Sequence, residues 1–320
     1  MKKVLSLLLA MLMMLALVSC GDSAADEDKV YEIGICQLVQ HPALDEATKG
    51  FKDALTEKLG DKVKFDEQNA SGEATNCTTI TSKFVSDKVD LIMANATDAL
   101  AAASQATADI PIVATSITDY ATALGISDWT GKTGFNVTGT ADLAPLAEQA
   151  AMLKELIPDA KNVGILYCSA EKNSKYQADV ITKELEALGM TVKVYTFVDT
   201  NDVTAVTQQI VADACDAVFV PTDNTAASNT EAINNVLEPA KIPVIAGEEG
   251  ICKGCGIATL SISYYDIGYK AGEMAYEILV NGKDPADMEI EYAKELTKKY
   301  VADRATAVGI TIPEGYEPIA

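Results

Sequence analysis

The sequence predicts an α/β fold of two doubly wound parallel-sheet lobes joined by hinge crossovers. Three observations carry this expectation. From residue 30 onward, short apolar runs alternate with amphipathic helical segments, the pattern of a parallel sheet covered on both faces. The alternation runs through four or five units and then restarts near Thr138–Leu143. A chain of about 300 residues after its leader also exceeds the usual single core, so two lobes are expected.

In the first half, strands are expected at 31–37, 63–66, 89–94 and 110–115, with a further extended piece at 133–138. Helices are expected between them at 43–59, 74–86 and 99–106. The second half opens with a helix over 142–156, followed by a strand at 161–168 and a helix over 174–188 that stops at Gly189. Strands at 191–197, 217–220 and 242–246 then alternate with helices at 203–214 and 225–240. A strand at 257–262, a helix at 264–281, a strand at 288–292 and a short helix at 301–308 complete the series. Lobe one is therefore expected over 30–140 plus about 260–285, and lobe two over 141–259 plus about 286–320. In open α/β sheets ligands sit outside the carboxyl ends of the strands, so two such halves facing each other define a cleft.

The first nineteen residues read as an address. Met1-Lys2-Lys3 is a short basic start, and residues 4–18 are apolar except for Ser6. This run is shorter than the ~20 residues that span a bilayer as a helix, and it reads as a secretion signal. Leu17-Val18-Ser19-Cys20 resembles the bacterial lipobox, in which the cysteine is lipidated and becomes the new N-terminus. Residues 20–29 are small and acidic, suiting a flexible tether. The expectation is a protein held by lipid on Cys20 at the extracytoplasmic face of the bacterial cell membrane.

After the leader, 23 basic residues stand against 47 acidic ones, which argues against nucleic acid and anionic lipid as partners. Cys36, Cys168 and Cys215 fall in or beside apolar strand-like runs, where a free cysteine is usually a small buried hydrophobe, and Cys77 falls on a helix face. Cys252-Lys253-Gly254-Cys255 is the one C-x-x-C; it lacks a second pair or histidines, so no zinc site is expected. A loop disulfide and two free thiols both fit it.

No catalytic motif is legible in the sequence. No G-x-S-x-G elbow and no G-x-G-x-x-G loop is present. Gly131-Lys132-Thr133 imitates the end of a phosphate loop, but its spacing is wrong and a strand follows it instead of a helix. No catalytic residue, cofactor or metal is expected. What recurs instead is polar side chains just past strand ends: Gln37 to His41, Asn95 to Asp98, Thr115 to Asp119, Ser169 to Ser174, Pro221 to Thr225 and Gly247 to Gly250. Hydroxyls and unpaired N–H groups at helix starts suit a carboxylate, and acids suit an ammonium. The same residue types are also the preferred helix caps. A cleft with hydroxyls on one wall and acids on the other would bind a zwitterion, with Thr97 and Ser116 holding the carboxylate. Asp223 or Glu249 would hold the ammonium, oriented by Asn224 and Gln37. His41 and Glu248 are further ligand candidates.

Ile35-Cys36-Gln37-Leu38-Val39-Gln40-His41-Pro42-Ala43-Leu44-Asp45 resembles the opening strand and turn of the tryptophan/tyrosine-type ABC transporter substrate-binding proteins, with Gln40 at a frequent acid position. Asn136 to Thr140, Pro221-Thr222-Asp223-Asn224-Thr225, Pro243 to Glu248 and Tyr264 to Tyr269 extend the resemblance to the C-terminus. It implies a type I periplasmic-binding-protein fold with three crossovers. It also implies an aromatic or other apolar amino acid as cargo, delivered to an ABC permease powered by a separate ATPase. Gly247-Glu248-Glu249-Gly250 is similar to the acid-bearing turn of branched-chain amino-acid binding proteins, which is what brings Glu249 beside Asp223. A monomer is expected. Rival readings are a surface ligand sensor of the same fold and an exported enzyme. Where the family has T-D-P, this chain has Thr118-Asp119-Tyr120, so Tyr120 is either an aromatic wall of the pocket or a packing residue. Trp129, the single tryptophan, is expected near the lobe surface.

Overall fold

Strands β1 (Tyr31–Gln37), β3 (Leu91–Asn95), β4 (Ile112–Ile117) and β5 (Val137–Ala141) are buried along nearly their whole length. That pattern belongs to parallel strands covered on both faces. The computed structural model describes residues 29–319. The leader and Cys20 lie outside them. Strand β2 (Val63–Asn69) has only Val63 buried, its other residues being half-buried or exposed, and it is the edge of the first sheet. Strand β11 (Glu291–Tyr292) forms the other edge, and the order is β11-β5-β4-β3-β1-β2, all parallel.

The second sheet has the order β13-β12-β10-β9-β8-β6-β7. Its strands are β6 (Asn162–Cys168), β7 (Thr191–Phe197), β8 (Ala217–Val220), β9 (Val244–Ala246), β10 (Ala258–Ser261), β12 (Thr297–Tyr300) and β13 (Glu317–Pro318). Pairing is parallel except between β10 and β12. The edge strand β7 is likewise mostly exposed, with only Tyr195 and Phe197 buried.

The first sheet lies between two helical layers. On one side are α1 (Pro42–Leu59) and α11 (Tyr264–Leu279), whose Phe51, Leu55, Ala271 and Met274 meet Ile33, Ile35, Leu91 and Met93. On the other are α2 (Ala74–Asp87) and α3 (Thr97–Ala106), which bring Phe84, Leu100 and Ala103 against Ile92 and Ala94. A short helix, α4 (Tyr120–Leu124), follows β4. The second sheet is covered by α5 (Leu146–Leu156), α6 (Lys172–Ala187) and α12 (Ala302–Val308) on one face. Its other face carries α7 (Val203–Ala212), α9 (Thr230–Leu237) and α10 (Glu249–Cys255), with the one-turn α8 (Asn224–Ala227) between β8 and α9.

The chain crosses between sheets three times: from β5 to α5, from β10 to α11, and from β11 to β12. The third crossover differs from the expected boundary near 285. Glu291–Tyr292 pairs with β5, so the chain leaves the first lobe only after residue 292. Several other expectations shift. The expected helix over 225–240 is divided into α8 and α9, and α4, β12 and β13 have no counterpart in the sequence reading. Cys252 and Cys255 sit on helix α10 rather than in a loop; both thiols are free and buried, and burial pushes that of Cys255 up to about 12.

Helices α1 and α11 approach backbone to backbone. A Cβ on Gly268 would fall 2.0 Å from the Ala47 carbonyl oxygen, and one on Gly50 would fall 2.1 Å from that of Tyr265. Gly272 faces Phe51 in the same way, at 2.6 Å from its carbonyl oxygen. This glycine seam docks the helix that follows the second crossover onto lobe one, and with it the hinge. We expect Gly268→Ala to cost about 1–3 kcal/mol by overpacking, read as a lowered urea midpoint at unchanged slope.

Candidate functional site

The carboxyl ends of both sheets face a common interlobe region, and buried polar side chains gather there. From lobe one come Gln37, His41, Asn95, Thr97, Ser116 and Thr118; from lobe two come Glu171, Asn173, Gln177, Asp223 and Glu248. Hydrogen bonds cross between the lobes. His41 Nε2 meets Asn224 Oδ1 at 3.3 Å, and Gln177 Nε2 donates to Thr118 Oγ1 at 3.4 Å. The clamp is therefore closed.

On the lobe-one wall, Ala96 and Ser116 stand side by side at the ends of β3 and β4, where the Ala96 N–H donates to the Thr115 carbonyl at 3.2 Å. Both have positive φ, 90° and 59°, a region that alanine and serine rarely adopt. Such local strain clusters at sites of function. Ala96 precedes α3, and no side chain caps that helix. Its first N–H groups therefore have no intrahelical acceptor and carry positive partial charge. The Ser116 hydroxyl is buried with no hydrogen-bond partner. Thr97 is the first residue of α3 and is buried as well. An uncapped helix start beside an unsatisfied hydroxyl can accept an anion such as a carboxylate.

Gln37 behaves differently from its expected ligand-orienting role. Its amide nitrogen donates to the Val39 carbonyl and to Asp45, and its oxygen accepts from Thr48 at 2.6 Å. It braces β1 against α1. Tyr120 is a packing residue: its hydroxyl donates to the carbonyls of Ala114 and Thr140, each at 3.1 Å, inside the lobe-one core. Trp129 stacks on it at 6.4 Å between ring centroids, and its indole N–H reaches the Tyr292 hydroxyl.

Lobe two is organised by Glu171, a residue not among the ligand contacts expected from sequence. It is the residue before α6 and only 6% exposed. One carboxylate oxygen accepts from the backbone N–H and hydroxyl of Thr225, both at 2.8 Å. The other accepts from the backbone N–H of Asn224 at 2.9 Å, its amide at 2.7 Å, and the Asn173 amide at 3.2 Å. Five donors on two oxygens meet the acceptor capacity of a carboxylate shut away from water. Its position inside the polar stretch Ser169 to Ser174, directly before a helix, was the available signal. Across the cleft, burial and the charge of Glu171 raise the Asp98 carboxyl above its usual range.

The two expected ammonium partners are engaged elsewhere. Asp223 accepts from the Cys168 and Ala226 N–H groups, each at 2.7 Å, so it caps α8 and pins β6 to that turn. Burial, then Glu171, pushes it up to about 8. Glu249 accepts from Lys299 at 2.6 Å and Ser261 at 2.9 Å, and lines an outer groove of about 1060 Å³ together with Pro42, Tyr265 and Tyr269. Glu248 caps α10 through the Gly250 and Ile251 N–H groups, and burial pushes it up to about 7.

At the crossovers, Asp142 accepts from the Tyr264 hydroxyl at 2.9 Å and from Thr118 at 3.3 Å, and burial pushes its carboxyl up to about 6. Among the described residues, no group of histidine, cysteine and carboxylate side chains is arranged to hold a metal ion. Nor is any helix among them long and apolar enough to cross a membrane.

This is a two-lobed binding clamp. Residues 32–316 match the family described as ABC transporter substrate binding protein, and the chain belongs to that family. It is 39% identical over 303 residues to the tyrosine-binding protein of Clostridioides difficile (strain R20291), covering 90% of this chain and 87% of that protein. Its fold matches the ABC domain from Streptococcus pneumonia solved in complex with L-Trp, with a TM-score of 0.86, 32% identity, and coverage of 91% of this chain and 100% of the other. A ligand-free, open substrate binding protein with adhesive properties from Clostridium difficile is more similar in sequence, at 36%, with 91% and 99% coverage. Its TM-score is nevertheless lower, at 0.69.

Folded-state carboxyls near 6, 7 and 8 at Asp142, Glu248 and Asp223 hold protons that the unfolded chain, with values near 4, has released. Between about pH 4 and pH 8 these groups therefore make stability fall as pH rises. We expect a higher urea midpoint at pH 5.5 than at pH 8, with the difference reduced in Asp223→Asn.

Proposed function

We propose that this chain captures an aromatic amino acid (tyrosine, tryptophan or phenylalanine) between its lobes and delivers it to the permease of an ABC importer driven by a separate ATPase. The cargo leaves chemically unchanged. In this reading the protein acts as a monomer, tethered outside the cell membrane by lipid on Cys20 after removal of residues 1–19. The tyrosine-binding relative and the L-Trp complex support the cargo class.

One observation carries the binding mode: the uncapped start of α3 lies beside the unpartnered, buried hydroxyl of Ser116. The ligand carboxylate docks there, against Thr97 and the free N–H groups of α3. The ammonium lies toward the acidic side of the cleft, between Asp98 and Glu171. Asp98 and Glu171 on opposing lobes repel one another, which Lys172 offsets only in part at Asp98, so an ammonium between them makes closure more favourable than it would be in an empty cleft. Differential contacts of this kind are what a ligand needs to shift a conformational equilibrium.

Mass spectrometry of small molecules released on denaturing freshly purified protein is expected to find an unmodified aromatic amino acid. Calorimetry should show the same ligand binding, with Ser116→Ala weakening it about tenfold or more, the scale of a hydrogen bond to a charged group. Unchanged affinity in that variant would remove the carboxylate assignment. Turnover of the amino acid would remove the binding-protein reading for this chain.

A further inference from the structure

We infer that His41 and Asn224 form a latch that holds the closed clamp shut, so that His41 governs ligand release and does not itself recognise the ligand. The inference rests on the reading above for its choice of probe.

His41 immediately precedes α1 in lobe one, and Asn224 opens α8 in lobe two. Their contact, Nε2 to Oδ1 at 3.3 Å, joins residues 183 apart in sequence and lies in a region where His41 is 7% exposed. The neighbours fix which atom donates. The Asn224 amide nitrogen points at Glu171 Oε2, 2.7 Å away, and a carboxylate oxygen there only accepts. The amide oxygen is thereby turned toward the imidazole. Since that oxygen is an acceptor, His41 Nε2 carries the proton and donates it.

Both halves of the latch are set before the lobes meet. Every group that orients Asn224 belongs to lobe two: Glu171 binds its backbone N–H as well as its side chain. His41 is held in an extended conformation by its place ahead of Pro42, and its side chain makes no capping bond to α1. Removing the imidazole therefore takes away the cross-lobe bond without uncapping a helix. The cross-lobe bond from Gln177 to Thr118 is of a different kind, because Thr118 is tied to Asp142 at the first crossover and so belongs to the hinge. The His41–Asn224 bond has no such tie; it is made when the lobes come together and broken when they part. A contact formed after capture changes dissociation and leaves association alone.

Stopped-flow kinetics with tyrosine and tryptophan as probes tests this on the wild type, His41→Ala, His41→Gln, Asn224→Ala and the double alanine variant. We expect His41→Ala to release ligand about five- to tenfold faster, the scale of one hydrogen bond, at an unchanged association rate. His41→Gln, which keeps a side-chain N–H donor, should recover much of the slow release. The double variant should release no faster than the faster single variant, the signature of a shared interaction in a double-mutant cycle. Additive effects, an altered association rate, or an unchanged release rate in His41→Ala would overturn the latch. Should wild-type protein bind no aromatic amino acid, the cargo reading fails, and the latch is decided by small-angle X-ray scattering of ligand-free protein. A larger radius of gyration for His41→Ala than for wild type supports it, and identical profiles with equal thermal stability overturn it.

Discussion

A carboxylate shut away from water must be given hydrogen bonds, and Glu171 is where this protein meets that demand most fully. Five donors converge on its two oxygens, four of them from Asn224 and Thr225. The P-T-D-N-T turn is consequently not free to choose its own conformation. Its backbone is wound around a fixed negative charge, Asp223 is pushed inward to cap α8, and Asn224 is left with its amide oxygen facing the other lobe. The lobe-two wall of the cleft is the outcome of satisfying one buried anion. Removing a partner from such an arrangement leaves buried groups unpaired, which is costlier than the net worth of the bonds themselves.

Lobe one follows a different rule. Its wall is made of incompleteness: α3 begins without a cap, and Ser116 keeps a hydroxyl without a partner. Gln37, Asn95 and Thr48 around it are linked to one another or to α1. Neighbours held by these bonds thus surround groups that still need an acceptor or donor, among them the Asn95 amide oxygen, which is buried without a partner as well. A ligand completes them, and the opposing acidic wall is what makes a zwitterion the fitting molecule. The glycine seam between α1 and α11 fixes how the hinge enters this lobe, so the two walls meet in a defined register.

Much of the architecture was legible in the sequence because parallel strands buried on both faces are written as nearly uninterrupted apolar runs. The segments over β1, β3 and β4 say so plainly, and polar residues placed directly after them marked the cleft. The edges were harder to read. The strand expected at 288–292 is present as β11, but nothing in its two residues says which sheet it joins, and β12, Thr-Lys-Lys-Tyr, carries no apolar signal, so sequence alone puts the third crossover too early. The roles of individual acids were less legible still. Asp223, Glu248 and Glu171 follow strands and precede helices, Glu249 opens one, and spacing cannot tell a cap from a ligand contact. What separates them is tertiary: Lys299, fifty residues on, claims Glu249, while two residues of a distant turn claim Glu171.

The packing of Trp129 has a practical side. This sole tryptophan stacks on Tyr120 in lobe one and touches Tyr292, the last residue before the chain leaves for lobe two. A fluorophore is therefore built in at the root of the third crossover. Excited at wavelengths that tyrosine does not absorb, it reports strain at that strap without any label. The molecule carries its own optical gauge at the point where one lobe hands the chain to the other.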